Sequence, residues 1–279
     1  MVSAGLAVYA IDVPGCGHRG GGEKRWARLK LKATLAELEL LLPELQKRYP
    51  QKPLYLLGES LGGLLALRLC SGRPGEVNGV VASAPAWRAY ISLPIILTVL
   101  LFPLIGKRAT LKRIRSIAIR RTTNDLKVRE QLLTAPEHRW FYTPWELLQI
   151  WLFAHSLPAC ARSLTATPIL MLQGVEDRVI KPSGSCVLFK GISNQDKQLV
   201  LLQNSGHLTF EEIHPERQLL DLLLHWLKER APQRVPQRAA AQPAPQPCGF
   251  WFGASSLSNK TAKLFRLAGL ASLSRLAGY

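Results

Sequence analysis

The sequence predicts an α/β protein, a mostly parallel sheet with helices on both faces and a helical insertion. Three observations predict it. Short apolar runs bounded by turn residues read as buried strands, and stretches with leucine at helical spacing lie between them. Strand and helix alternate along the chain, which implies a parallel sheet covered on both sides. At 279 residues the chain can bury one full core.

The elements follow in order. Ala4 to Ile11 (AGLAVYAI) reads as a buried strand that ends in the turn Asp-Val-Pro-Gly. Cys16 to Gly22 is a Gly-rich loop. Leucines recur from Arg25 to Tyr49, so a helix is expected there, kinked or split at Pro43. Pro53 to Leu57 is a strand ending at Gly58, Leu61 to Ser71 a helix, and Val77 to Ala82 a third strand. Thr167 to Gly174 and Gln198 to Leu202 resume the strands, and a closing helix is expected from His214 to Arg230. The domain therefore spans residues 1–230.

Between the two sections lies an insertion over residues 87–163, read as a lid. Ile91 to Gly106 carries no charge, but it is shorter than the about 20 apolar residues of a spanning helix and holds Pro94 and Pro103. Lys107 to Arg121 follows with seven basic residues and no acid. An apolar wall followed by a basic cluster is the pattern of an interfacial element, so peripheral contact with an anionic membrane through residues 91–121 is one expectation. A lid helix with a solvated basic face is the other. Residues 231–279 are rich in Pro, Gln, Ala and Arg and read as a disordered, basic tail.

Composition limits the partners. Lys and Arg number 36 against 19 acids, a formal net charge of +17, which favours anionic surfaces or substrates. Nucleic acid ranks low, because there is no zinc spacing, RNP-like motif or basic strip interleaved with aromatics. The five cysteines are widely spaced, with no CxxC pair and no metal-ligand spacing, so reduced thiols and no metal are expected. No signal peptide is visible, and a cytoplasmic or peripheral-membrane location is expected.

The sharpest chemical signal is Gly58-Glu59-Ser60-Leu61-Gly62, a G-x-S-x-G between a predicted strand and a predicted helix. There the serine sits on a strained turn that projects its Oγ above the sheet edge. The flanking Gly58 and Gly62 are expected because a Cβ at either would collide with the neighbouring strand and helix. A serine hydroxyl needs a base. Of six histidines, His207 follows the last predicted strand in the loop QNSGH, at the carboxyl end where a base must sit. His214 is its main competitor, His225 beside Trp226 reads as packing, and His138 and His155 fall in the lid. The base needs a carboxylate on its other nitrogen. Asp177, in the loop after the strand PILMLQ, fits, with Glu176 as the fallback. The chain order Ser60, Asp177, His207 is that of the α/β-hydrolase fold.

VYAIDVPGCGH, LLGESLGG, PILMLQGVEDRVIKP and NSGHLTFEE resemble segments of the serine aminopeptidase S33, monoacylglycerol lipase-like α/β-hydrolases. The resemblance runs from about Ala4 to Arg230, and TTNDLKVREQLLTAPEHRW resembles that group's cap. It implies Ser60 as nucleophile, Asp177 as acid, His207 as base and the Leu61 N–H as one oxyanion donor. It also implies small ester or lipid substrates, such as monoacylglycerols or lysophospholipids, and no cofactor. The group carries an earlier strand with a His-Gly segment that supplies a second oxyanion donor, and this sequence begins after it. A truncated chain with its catalytic residues intact is therefore expected. The competing expectation is a catalytically impaired α/β-hydrolase that binds lipid or membrane.

Overall fold

The structure, a computed structural model, describes residues 1–16, 28–90, 117–134, 142–210 and 217–231. Among these residues the sheet has four strands, β1 (Tyr55–Glu59), β2 (Gly79–Ser83), β3 (Ile169–Gly174) and β4 (Lys197–Leu202). They lie in the order β1-β2-β3-β4, and every pair is parallel. Glu59 stands opposite Ser83, Ser83 opposite Leu172, and Gly174 opposite Leu202. Parallel strands in register carry all their carboxyl ends to one rim, where ligands bind in open α/β sheets.

Helices cover both faces. On one, α1 (Leu31–Arg48), α2 (Leu61–Gly72), α5 (Leu157–Ser163) and α6 (Pro182–Gly191) pack on Val80, Ala82, Ile169 and Met171. On the other, α7 (Arg217–Glu229) packs Leu219, Leu223, Trp226 and Leu227 on Val81, Leu170 and Leu172. Successive strand residues point to opposite faces, so β2 and β3 are buried at every position and read as unbroken apolar runs. Full burial of one such Val, Leu or Ile is worth about 1.5–3 kcal/mol. Trp226 lies so close that a Cβ on Gly79 would stand 2.6 Å from its ring, so glycine there seats the closing helix.

The insertion contributes a helical stretch over residues 117–122, then α3 (Leu126–Thr134) and α4 (Pro144–His155) ahead of α5. Thr143 caps α4 reciprocally with Glu146, whose other oxygen accepts from the Leu29 N–H at 2.8 Å. That carboxylate is buried and ties the insertion to the chain ahead of α1. No helix among the described residues is long and apolar enough to cross a membrane.

Two expectations fail. Ala4–Ile11 is no strand: a short 3-10 turn covers Val2–Ala4, and Val8, Tyr9 and Ile11 stay 54%, 39% and 46% exposed. A strand needs a neighbour for its backbone groups, and none of the described strands pairs with this segment. Its Tyr9 packs edge-on against Tyr49 at the end of α1 instead. Pro43 does not split α1, which runs unbroken for 18 residues. Pro43 lies on the exposed face, while Leu31, Thr34 and Leu42 anchor the buried one. The apolar stretch at 91–106, residues 107–116 of the basic cluster and the tail from 232 onward lie outside the described residues.

Candidate active site

Ser60 is the residue between β1 and α2. Its φ of 54° and ψ of −111° form the sharp corner that G-x-S-x-G predicts. A non-glycine residue held at positive φ costs about 1–3 kcal/mol and persists only where its surroundings enforce it. Here they do. Ser60 N–H donates to Ser83 O at 2.9 Å, and Ser60 O accepts from Ala86 N at 3.0 Å and Leu64 N at 3.1 Å.

The two flanking glycines are not equivalent. A Cβ on Gly58 would stand 2.3 Å from the backbone of Gly62, so nothing larger fits. A Cβ on Gly62 would meet open space, which corrects the expectation of a collision there. The close approach falls instead on Gly63, whose Cβ would lie 3.1 Å from Gly58 O and 3.2 Å from Ser83 O. Leu61 opens α2. Its N–H belongs to the first turn, where amides have no intrahelical partner and the helix end favours negative charge.

The structure brings Asp177 and His207 together. His207 Nδ1 lies 2.8 Å from Asp177 Oδ2, with both side chains buried. Asp177 Oδ2 also accepts from Gln173 Nε2 at 3.0 Å, and its Oδ1 accepts from Val179 N at 2.7 Å and Ile180 N at 2.9 Å. Burial alone would raise this carboxyl. The hydrogen bond and charge of His207, with the Ile180 and Val179 amides, outweigh it and hold the group below its ordinary value. Gln173 is itself fully buried and held by Ser185 Oγ at 2.6 Å. Glu176 points to solvent and accepts from Asn124 Nδ2.

The loop that carries His207 is fastened on several sides. Its own N–H donates to Thr122 O of the insertion at 3.0 Å, joined by Leu208 N at 3.2 Å. Ser205 O accepts from Glu176 N at 3.0 Å, and a Cβ on Gly174 would stand 2.1 Å from Gly206 O. Beyond the imidazole, Thr209 N donates to Glu59 Oε1 at 2.7 Å. Among the described residues no hydrogen bond joins Ser60 Oγ to His207. In enzymes without substrate that contact is often long.

The other histidines fall elsewhere. His214, with His18 and His138, lies outside the described residues. His225 does not pack: its ring is 76% exposed and pairs with Glu229. His155 stacks on Trp151 at the surface of α4. Among the described residues no cluster of His, Cys, Asp or Glu could hold a metal ion, and Cys16, Cys70, Cys160 and Cys186 are free thiols.

Residues 1–214 match the sequence pattern of serine aminopeptidase, S33. The chain belongs to that family. It is 29% identical over 227 residues to a monoacylglycerol lipase of Mycolicibacterium smegmatis, with 81% of this chain and 79% of that one covered. It is 27% identical over 237 residues to the monoglyceride lipase of Mus musculus, covering 81% and 74%. The crystal structure of Paleococcus ferrophilus monoacylglycerol lipase shares the fold at a TM-score of 0.65 and 22% identity, covering 82% of this chain and 86% of that one. A monoglyceride lipase variant from Saccharomyces cerevisiae superposes at 0.63 with 18% identity, covering 79% and 76%. This S33 member is thus a monoacylglycerol lipase-like α/β-hydrolase of the serine class. Sequence reasoning passed over Glu59, Gln173 and Thr122 in its site. Gln173 had a signal, a polar residue ending an apolar strand; a backbone acceptor such as Thr122 has none.

Proposed function

We propose that this hydrolase cleaves carboxylic esters of monoacylglycerol or lysophospholipid type through an acyl-enzyme, with Ser60, His207 and Asp177 as its triad. The observation that carries the reading is the buried His207–Asp177 pair, which stands at the rim where the strained corner presents Ser60. Ser60 Oγ attacks the ester carbonyl carbon while His207 Nε2 takes its proton. Asp177 holds the Nδ1–H and stabilises the imidazolium. The Leu61 N–H receives the charge that develops on the carbonyl oxygen. As the tetrahedral species collapses, the C–O bond to the alcohol breaks and the alcohol leaves with the proton from His207. Water then attacks the acyl-Ser60 ester by the same route, releasing the carboxylic acid. The substrate class rests on the names of the relatives.

A fluorophosphonate probe is expected to label the native chain and release of fatty acid from a monoacylglycerol to be measurable, with both lost in Ser60→Ala. Labelling that survives the substitution overturns the assignment.

A second reading adds to the first: the insertion attaches to an anionic lipid surface. The sequence places that contact at residues 91–121, and α4 of the same insertion supports it. Trp145, Leu148, Trp151 and Leu152 stand 61%, 42%, 45% and 55% exposed on this helix. Exposed aromatic and aliphatic side chains are what an interfacial element carries, and the sequence of the same insertion adds the basic run 107–121.

A further inference from the structure

We propose that the Glu59 carboxylate is a positioning residue that sets the His207 loop against Ser60; the proposal rests on the triad reading above. Ser60 follows β1 and His207 follows β4, with β2 and β3 between them. At the usual spacing of strands the two are about 14 Å apart across the sheet. The loop after β4 must therefore cross two strand ends before its imidazole can serve a hydroxyl on β1. The structure shows a handhold at each end. At β3, Gly174 lets the Ser205–Gly206 backbone lie against the strand, and Glu176 N donates to Ser205 O. At β2, the buried Ser83 Oγ stands 3.1 Å from Thr209 Oγ1. At β1, Glu59 Oε1 accepts from Thr209 N at 2.7 Å and from Phe210 N at 3.3 Å. Ser83 Oγ also lies 3.2 Å from that oxygen. A hydroxyl has one hydrogen, so giving it to the carboxylate leaves Ser83 free to accept from Thr209.

Glu59 is bonded to Ser60, so one carboxylate oxygen couples the nucleophile's own neighbour to the residue two places past the base. Ser83 Oγ bridges the same two segments, but among the described side chains only Glu59 takes the backbone N–H groups of the loop, those of Thr209 and Phe210. The required feature is the acceptor oxygen, and the side chain need not touch substrate.

The test compares Glu59→Ala and Glu59→Gln with the native chain on a soluble ester, alongside amide hydrogen exchange. Misplacing a reacting group by about 1 Å can lower turnover about 10²-fold. Glu59→Ala is therefore expected to lose about that factor in kcat with KM little changed, and the Thr209 and Phe210 amides to exchange faster. Glu59→Gln keeps an oxygen for these donors and is expected to recover most of the loss and the slow exchange. The proposal is overturned if Glu59→Ala keeps native kcat and slow exchange, or if Glu59→Gln falls as far as Glu59→Ala while its amides stay protected. Failure of the triad reading shows separately, as labelling that survives Ser60→Ala. The exchange rates then still decide whether Glu59 holds the loop.

Discussion

Gly58 and Gly62 carry the same letter in the motif and opposite burdens in space. A Cβ at 58 would press on the backbone of the following helix, which cannot yield as a flexible side chain does. Gly58→Ala is therefore expected to destabilise by about 3 kcal/mol, the upper range for forcing atoms into a packed site. Gly62 lies in open space within α2, so Gly62→Ala is expected to be neutral or stabilising by up to about 1 kcal/mol, since alanine is the better helix former. Urea melts of the two variants check this, and equal losses would refute the asymmetry. The Ser60 corner and the His207–Asp177 pair were legible in the sequence because each residue follows a predicted strand. The division of labour among the glycines was not, because it depends on which backbone passes within touching distance. The letters G-x-S-x-G carry no such distance.

The strands were legible for a related reason. β2 and β3 are covered on both sides, so their apolar runs are unbroken and short. The same rule misread Ala4–Ile11, because apolarity reports what a segment would bury and not whether a partner edge awaits it. The Thr143–Glu146 cap of α4 had a signal that went unread, T-P-W-E ahead of an apolar run. The exposed face of that helix yields a prediction at this scale. The chain is expected to float with vesicles that contain anionic lipid, less so in high salt. Replacing Trp151 and Leu152 together by serine should weaken that flotation several-fold, and unchanged flotation would remove α4 from the contact.

One buried carboxyl contributes to how the whole molecule responds to acid. The His207 contact and the backbone amides hold the Asp177 carboxyl below its ordinary value of 3.8. A carboxyl whose value drops on folding adds stability that is complete above the unfolded value and disappears as pH falls through the folded one. The denaturation midpoint of the native chain is therefore expected to fall more steeply below pH 3.8 than that of Asp177→Asn. Parallel curves would show that the pair contributes nothing to acid sensitivity. One bond described above joins the scales. The Thr122 carbonyl accepts from the backbone N–H of His207. Any guest that enters by pushing residues 117–122 aside must break that bond. Such a shift would cost the His207 loop its anchor on the insertion and leave its contacts with Asp177 and Glu59 to hold it.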